Sequence, residues 1–228
     1  MRSRPILFSA PMVLRLLDGS KTKTRRAVKG KPLRWINWFS DEDNNDKPGF
    51  LEDGHSGPGL YAYSLNYPDE GCALLVCPHG APGDRLWVKE TWATEKRYDK
   101  RPPSRVPKTA RVHYLADGSK PAWSGRTRVS IHMVRWASRI TLELTDVRVE
   151  RLTDISEVDA SAEGIQRLAT TKRNGWPTGG FWGIEGVTDT DWRDPRDAFC
   201  QLWESINGPG SWAENPWVWA LTFKRVTP

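Results

Sequence analysis

The spacing of apolar positions changes period several times along the chain, and each change predicts an element. Met12, Val13, Leu16 and Leu17 recur at helical spacing. Ser9 precedes them as an N-cap residue, Pro11 falls in the first turn, and Gly19 stands where a helix commonly ends. From Ser20 to Val28 the pattern turns to alternation with paired threonines, which predicts a short strand. Ala73 to Cys77, the turn and strand from Gly83 to Trp92, and Ala110 to Leu115 read the same way. The clearest strand runs from Arg139 to Leu152. There Ile140, Leu142 and Leu144 alternate, and Val147 and Val149 resume one position out of phase, so a bulge is expected near Thr145-Asp146. Ser156 and Asp159 form a capping pair that opens a short helix ending near Gly164. Asp194-Pro195 opens another, with Ala198, Phe199, Leu202, Trp203 and Ile206 on one face and Asn207-Gly208 at its end. Pro216 to Val226 closes the pattern as a strand with Trp217, Trp219, Leu221 and Phe223 on one side.

Three stretches lack a steady period: residues 29–70, 94–128 and 169–193. They are rich in Pro, Gly, Asn and Asp or in basic residues, and they read as insertions, with the Pro-rich part at 94–109 as a loop. About six short strands, two or three helices and no alternating strand–helix rhythm predict one α+β domain spanning residues 1–228 around a small barrel.

Composition narrows this picture. The chain has 228 residues with 13 Trp against 6 Phe and 5 Tyr, an aromatic content that disordered chains lack. No apolar run has the length of a membrane span, and Met1 to Pro11 is too short and interrupted for a signal peptide. Three cysteines at 72, 77 and 200 make no disulfide framework, which points to a reducing cytoplasm. Charge is unevenly placed: residues 1–40 sum to +9, 41–80 to −7, 81–140 to +9 and 141–228 to −5. Two basic blocks suggest a surface that faces phosphate. Cys72, Cys77 and His79 resemble half of a metal site, but the spacing is loose for zinc and no metal or cofactor is expected.

Gly19-Ser20-Lys21-Thr22-Lys23-Thr24-Arg25-Arg26 after an amphipathic helix resembles the signature of ASCH domains, which have a PUA-like β-barrel fold. Pro5 to Ser9, Gly83 to Val88, Arg135 to Arg139, Ile155 to Ile165, Leu202 to Gly208 and Asn215 to Trp219 extend the likeness to the longer ASCH-type proteins of phage and prophage genomes. The resemblance implies a PUA-like mixed barrel flanked by short helices, and contact with RNA or modified bases. One small ASCH enzyme removes acetate from N4-acetylcytidine. Its family assigns the catalytic roles to a lysine, a threonine and a glutamate, which fall here on Lys21, Thr24 and Glu163. Other members are linked to RNA cleavage, so the implied activities are nucleoside or nucleic-acid binding, hydrolysis of an N-acylated base, or a ribonuclease. A phage assembly role is a fourth.

The residues allow this chemistry under a condition. Amide hydrolysis needs a nucleophile, a base and an acid. A lysine ordinarily titrates at about 10.4 and must be depressed to serve as base; burial with neighbouring cations does that. Strand alternation puts Thr22, Thr24 and Arg26 on one face and Lys21 on the other, so Lys21 meets Thr24 only if the turn at Gly19–Lys21 breaks the phase. Without turnover, Thr22, Lys23, Arg25 and Arg26 make a phosphate-binding strand. Trp35, Trp38, Trp182 and Trp212, all outside the periodic segments, are the candidates for stacking on a base. Trp87, Trp203, Trp217 and Trp219 are assigned to the core.

Overall fold

A computed structural model describes residues 1–29, 48–52, 60–64, 72–168, 171–173, 176–178, 180–184, 187 and 192–226. The first half contains β1 (Ser3–Leu7), α1 (Ala10–Leu17), β2 (Lys23–Ala27), β3 (Pro48–Glu52), β4 (Leu60–Ser64) and β5 (Cys72–Leu75). It continues with β6 (Arg85–Lys89), β7 (Trp92–Glu95), β8 (Val112–Tyr114) and β9 (Ser124–Arg128). The second half adds β10 (Thr141–Arg151), α2 (Glu157–Ala162), β11 (Gln166–Arg167), β12 (Thr171–Arg173), β13 (Trp176–Thr178), β14 (Trp182–Gly183), α3 (Pro195–Asn207) and β15 (Trp217–Val226).

Five of these strands form the central sheet, in the order β1-β6-β10-β15-β2. Its pairs are antiparallel except β1 with β6. The long β10–β15 ladder shifts register between Leu144 and Asp146, the bulge expected from the slip in alternation. That extra residue lets Leu142 and Leu144 stay buried while Val147 pairs with Leu221 further along. The core lies over this sheet. Helix α1 contributes Met12, Val13 and Leu16, and α3 contributes Ala198, Phe199, Leu202 and Trp203. Burying each such side chain stabilises the fold by roughly 1.5–3 kcal/mol relative to exposure. Ile206, assigned to the same α3 face from its spacing, is 62% exposed, because α3 ends one residue later and its last turn overhangs the core.

The architecture is α+β. The described strands form no closed barrel: β1 and β2 are the two edges of the central sheet, and no ladder joins them. A side-chain bond does span these edges, from Arg26 Nη2 to the Leu7 carbonyl at 2.9 Å.

The three aperiodic stretches are also more regular than their composition suggests. Strands β3, β4 and β5 make a three-stranded antiparallel sheet within 48–75. The stretch 94–128 belongs to a second three-stranded sheet, β8-β7-β9. Its Pro-rich part forms two 3-10 turns, Lys96–Tyr98 and Pro103–Arg105, with Val106 and Ala110 buried beneath. In 169–193, β12 pairs with β13, and β14 pairs with β11. Short polar strands such as Ser124–Arg128 leave no apolar alternation to read.

A buried contact fixes the β7 sheet to the central sheet. Arg139 bonds Glu90 in bidentate fashion at 2.9 and 3.0 Å, and its guanidinium lies 4.0 Å from the centre of the Tyr114 ring. The Tyr114 hydroxyl in turn donates to the Ala137 carbonyl at 2.9 Å. No described helix is long and apolar enough to cross a membrane.

Candidate functional site

The turn between α1 and β2 decides where the signature side chains go. Gly19 has φ of +81°, a conformation that suits glycine. The chain then folds back so that the Lys21 amide donates to the Arg15 carbonyl at 2.9 Å. The Thr22 amide donates to Ala162 O at the end of α2, and Thr22 O accepts from the Phe223 amide of β15, both at 2.9 Å. Lys21 therefore precedes β2, is not bound by strand alternation, and is pressed against the C-terminus of α2.

There Lys21 meets Glu163. Its Nζ donates to Glu163 Oε2 at 2.7 Å and to the Glu163 carbonyl at 2.6 Å. Both side chains are almost fully buried, at 2% and 3% exposure. Burial is the main force pulling the Lys21 pKa down. The nearby Arg26 and Arg25 add to it, Glu163 opposes it, and the net direction is downward. Ser156 shapes this region as expected, its hydroxyl accepting from the Asp159 amide at the start of α2. Gly164 ends it at φ +100°, and a Cβ there would lie 3.3 Å from the Arg15 side chain.

The two faces of β2 have different surroundings. Lys23 and Arg25 face α2. Lys23 bonds Asp159 Oδ1 at 2.5 Å. Arg25 bonds Glu150 through Nε at 2.8 Å, Asp159 at 2.9 Å and Glu163 at 3.3 Å. Burial works against ionisation of Asp159, but its bonds from Lys23 and Arg25 hold its pKa below the usual value. These cations are neutralised within the protein, and Arg25 is 1% exposed. On the opposite face, Arg26 Nη1 donates to Thr24 Oγ1 at 3.0 Å. The Arg26 guanidinium lies 5.2 Å from the centre of the Phe8 ring, and Lys21 Nζ lies 5.7 Å from the same centre. Phe8 is thus a wall shared by Lys21 and the Thr24–Arg26 pair. Among the described residues no hydrogen bond joins Thr24 to Lys21 or Glu163. Thr22 is exposed.

Arg26 also borders a pocket of about 530 Å³, which Ala27, Val28, Lys29, Val76, Pro78, His79, Asn207 and Trp219 complete. Arg26 and Trp219 are cross-strand partners in the β2–β15 ladder. The His79 segment is held by a bond from Arg4 to the Pro78 carbonyl at 2.7 Å. Burial, with Arg26 and Arg4 nearby, lowers the His79 pKa to about 4. A neutral imidazole, two cations and an indole edge therefore surround one hollow at neutral pH.

The structure brings Lys21 and Glu163 into contact and places Thr24 one hydrogen bond from the pocket-lining Arg26. Lys23 and Arg25 are turned to the carboxylates of α2 and β10. Trp35 and Trp38 lie outside the described residues. Trp182 packs on the main core, its amide bonded to Trp192 O at 2.7 Å, and Trp212 meets Phe199 edge to face at 6.0 Å. Sequence reasoning passes over Lys29, His79 and Asn207 and gives Trp219 to the core alone. The Trp219 assignment holds for burial, at 3% exposure; its second role depends on the pairing of β15 with β2, across almost two hundred residues. His79 is visible only through the Cys72–Cys77 spacing. Among the described residues no group of three or more His, Cys, Asp or Glu could hold a metal ion. No family model matches the chain, and neither a curated protein nor a solved structure matches it.

Proposed function

We propose that the chain is an ASCH-type, PUA-like module that binds a nucleoside in the pocket between β2, β15 and the His79 segment. The observation that carries this reading is the lining: Trp219 supplies an indole edge, Arg26 and Lys29 supply positive charge, and His79 and Asn207 supply neutral polar groups. Small-ligand sites commonly combine an apolar wall with a few placed polar groups in a volume of roughly 300–1,000 Å³.

A second reading, hydrolysis of an N-acylated base, is favoured by the buried Lys21–Glu163 pair. The Lys21 proton can pass to Glu163 across 2.7 Å, leaving a neutral amine. That amine would take the proton of the Thr24 hydroxyl as Thr24 Oγ attacks the acyl carbon. The carbon–nitrogen bond then breaks, the amine leaves with a proton returned from Lys21, and water releases the acid from Thr24. Arg26, bonded to Thr24 and bordering the pocket, links the nucleophile to the bound base.

Titrating the protein with cytidine and N4-acetylcytidine while following Trp fluorescence tests the binding. Quenching is expected, and Trp219→Phe should weaken it. An unchanged signal across millimolar nucleoside would refute the pocket reading. Chromatography of the same mixtures tests turnover: release of cytidine and acetate, abolished in Lys21→Ala and in Thr24→Ala, is the expected result of hydrolysis. Binding without any product would leave a reader module.

A further inference from the structure

The second sheet carries a concentration of charge that the pocket does not use. Between Lys96 and Arg111 the chain has seven Lys and Arg and a single acid, Asp99. Lys96, Lys100, Arg101, Arg105, Lys108 and Arg111 are all exposed. Among the described residues none of these six has a carboxylate partner. The nearby acids are committed elsewhere. Glu95 accepts from the Arg111 main-chain amide at 3.1 Å and pairs with Arg97 at 2.8 Å. Asp99 accepts from the Arg126 main-chain amide at 2.8 Å, and Asp117 is bound to Arg139 at 2.8 Å.

Glu95 and Asp99 hold the backbone, Glu95 and Asp117 also pair with Arg97 and Arg139, and the six cations above keep no carboxylate among the described residues. The contrast with β2 is sharp, since Lys23 and Arg25 there are matched with three carboxylates. The supporting frame is fixed by bonds of its own. Arg128, 5% exposed, donates to the carbonyls of Tyr98 and Arg101 at 2.8 and 3.1 Å and so pins the first 3-10 turn. Gly125 passes so close to the Asp99 carboxylate that no Cβ fits there. Tyr98, half-buried, has the guanidinium groups of Arg97 and Arg101 at 4.8 and 5.4 Å from its ring centre.

We infer that the exposed face of residues 96–111, on the β8-β7-β9 sheet, docks the sugar–phosphate backbone of a polynucleotide. Unpaired cations on a fixed frame gain from releasing the counterions condensed on a phosphate chain, and they would otherwise repel one another. The inference goes beyond the pocket reading, because it concerns a different sheet and different residues. One part rests on that reading: a base enters the pocket only when unstacked, and a single strand meets that condition without the few kcal/mol that opening a duplex costs, so the docked strand is single. The substrate class is then a base within a strand rather than a free nucleoside.

The test uses the full chain and a fluorescein-labelled single-stranded 16-mer, followed by anisotropy as a function of salt. Lys96→Ala, Lys100→Ala, Arg105→Ala and Lys108→Ala are combined, since none of these side chains makes a bond that the fold uses. The salt slope should fall by about 0.7 for each phosphate no longer neutralised, and affinity at low salt should drop on the order of a hundredfold. Nucleoside quenching should be unchanged. Equal oligonucleotide affinity and slope in the quadruple variant would overturn the inference while leaving the pocket reading intact. Polyglutamate competing as well as the oligonucleotide at equal charge would also overturn it, in favour of an acidic protein partner. A duplex competing as well as the single strand would overturn the single-strand part. Absence of nucleoside quenching in the wild type, with the oligonucleotide slope retained, would sink the pocket reading and the single-strand part that rests on it, and would leave the backbone docking standing.

Discussion

Replacing Glu163 with Gln isolates the electrostatic role of the buried pair. The substitution keeps the shape and one carbonyl oxygen but removes the charge. Arg25 retains Glu150 and Asp159, so its loss is small. Among the described residues Lys21 has no other carboxylate within bonding distance, and it keeps only the Glu163 carbonyl. Removing one member of a buried ion pair costs about 3–5 kcal/mol, because the remaining charge stays desolvated. With Arg25 holding the lower part of the network, about 3 kcal/mol is expected at pH 7. The pH dependence supplies the sharper check. Without Glu163, the folded-state pKa of Lys21 falls further, while the unfolded value stays near 10.4. The wild-type value is itself lowered by burial, so the variant gains on it only between the two folded-state values, where wild-type Lys21 keeps its proton and the variant's does not; there the deficit shrinks by up to about 1.4 kcal/mol per unit. Urea denaturation of Glu163→Gln against wild type in steps from about pH 5 to about pH 10 should therefore show a deficit that shrinks as pH rises through the interval between the two folded-state values. A deficit below about 1 kcal/mol at pH 7, or one that does not change with pH, would refute the assignment of Lys21 as a buried cation held by Glu163.

Two further outcomes follow from groups around the same turn. His79 has a folded pKa of about 4 against an ordinary 6.5; its unfolded form binds the extra proton in that window, so stability is lost as pH falls from 6.5 to 4. The loss attributable to His79 should be on the order of 2 kcal/mol after allowing for its partial exposure, and His79→Gln should flatten urea midpoints over that range; an unchanged profile in the variant would rule the imidazole out. Gly164→Ala puts a Cβ at φ +100° and 3.3 Å from Arg15, which should cost about 1–2 kcal/mol and lower the melting temperature by roughly 2–8 °C; calorimetry showing no change would mean that the turn relaxes freely.

The legibility of this fold tracks how local each determinant is. The β10 bulge is visible because two alternating runs in one strand disagree by one position. The Ser156 cap is visible because donor and acceptor lie three residues apart. Lys21 is harder. Its alternation places it opposite Thr24, and only the Gly19 turn, the Thr22–Ala162 bond and the close approach of Gly164 remove it from that phase. The Lys21–Glu163 pairing enters through family resemblance; the residues alone carry no signal linking positions 142 apart. The β8-β7-β9 sheet is hidden for another reason. Its strands are short, and its stabilising groups are Arg128, Asp99 and Glu95 bonded to main chain, so the region reads as a basic loop. The roles of Arg25 and Lys23 cannot be separated from that of Arg26 without knowing that α2 covers one face of β2.

That division of β2 separates charge that holds the fold from charge left at the pocket. Consecutive residues on a strand point to opposite sides, so Arg25 and Arg26 experience different environments despite identical chemistry. Arg25 is surrounded by three carboxylates, and its charge is used to hold β2 against α2 and β10. Among the described residues Arg26 bonds no carboxylate; its donors go to Thr24 Oγ1 and to the carbonyls of Arg25 and Leu7, and its plane lies near Phe8. A guanidinium without a bonded counterion at the edge of a hollow costs desolvation that the fold alone does not return, as the downward pKa pressure of burial on Arg26 reflects. An electron-rich ligand in the pocket would return it. The same reasoning separates the cations at 96–111 that lack a carboxylate from the neutralised ones at 23–25, and the docking proposal rests on that absence of an internal counterion rather than on the density of basic residues in the sequence.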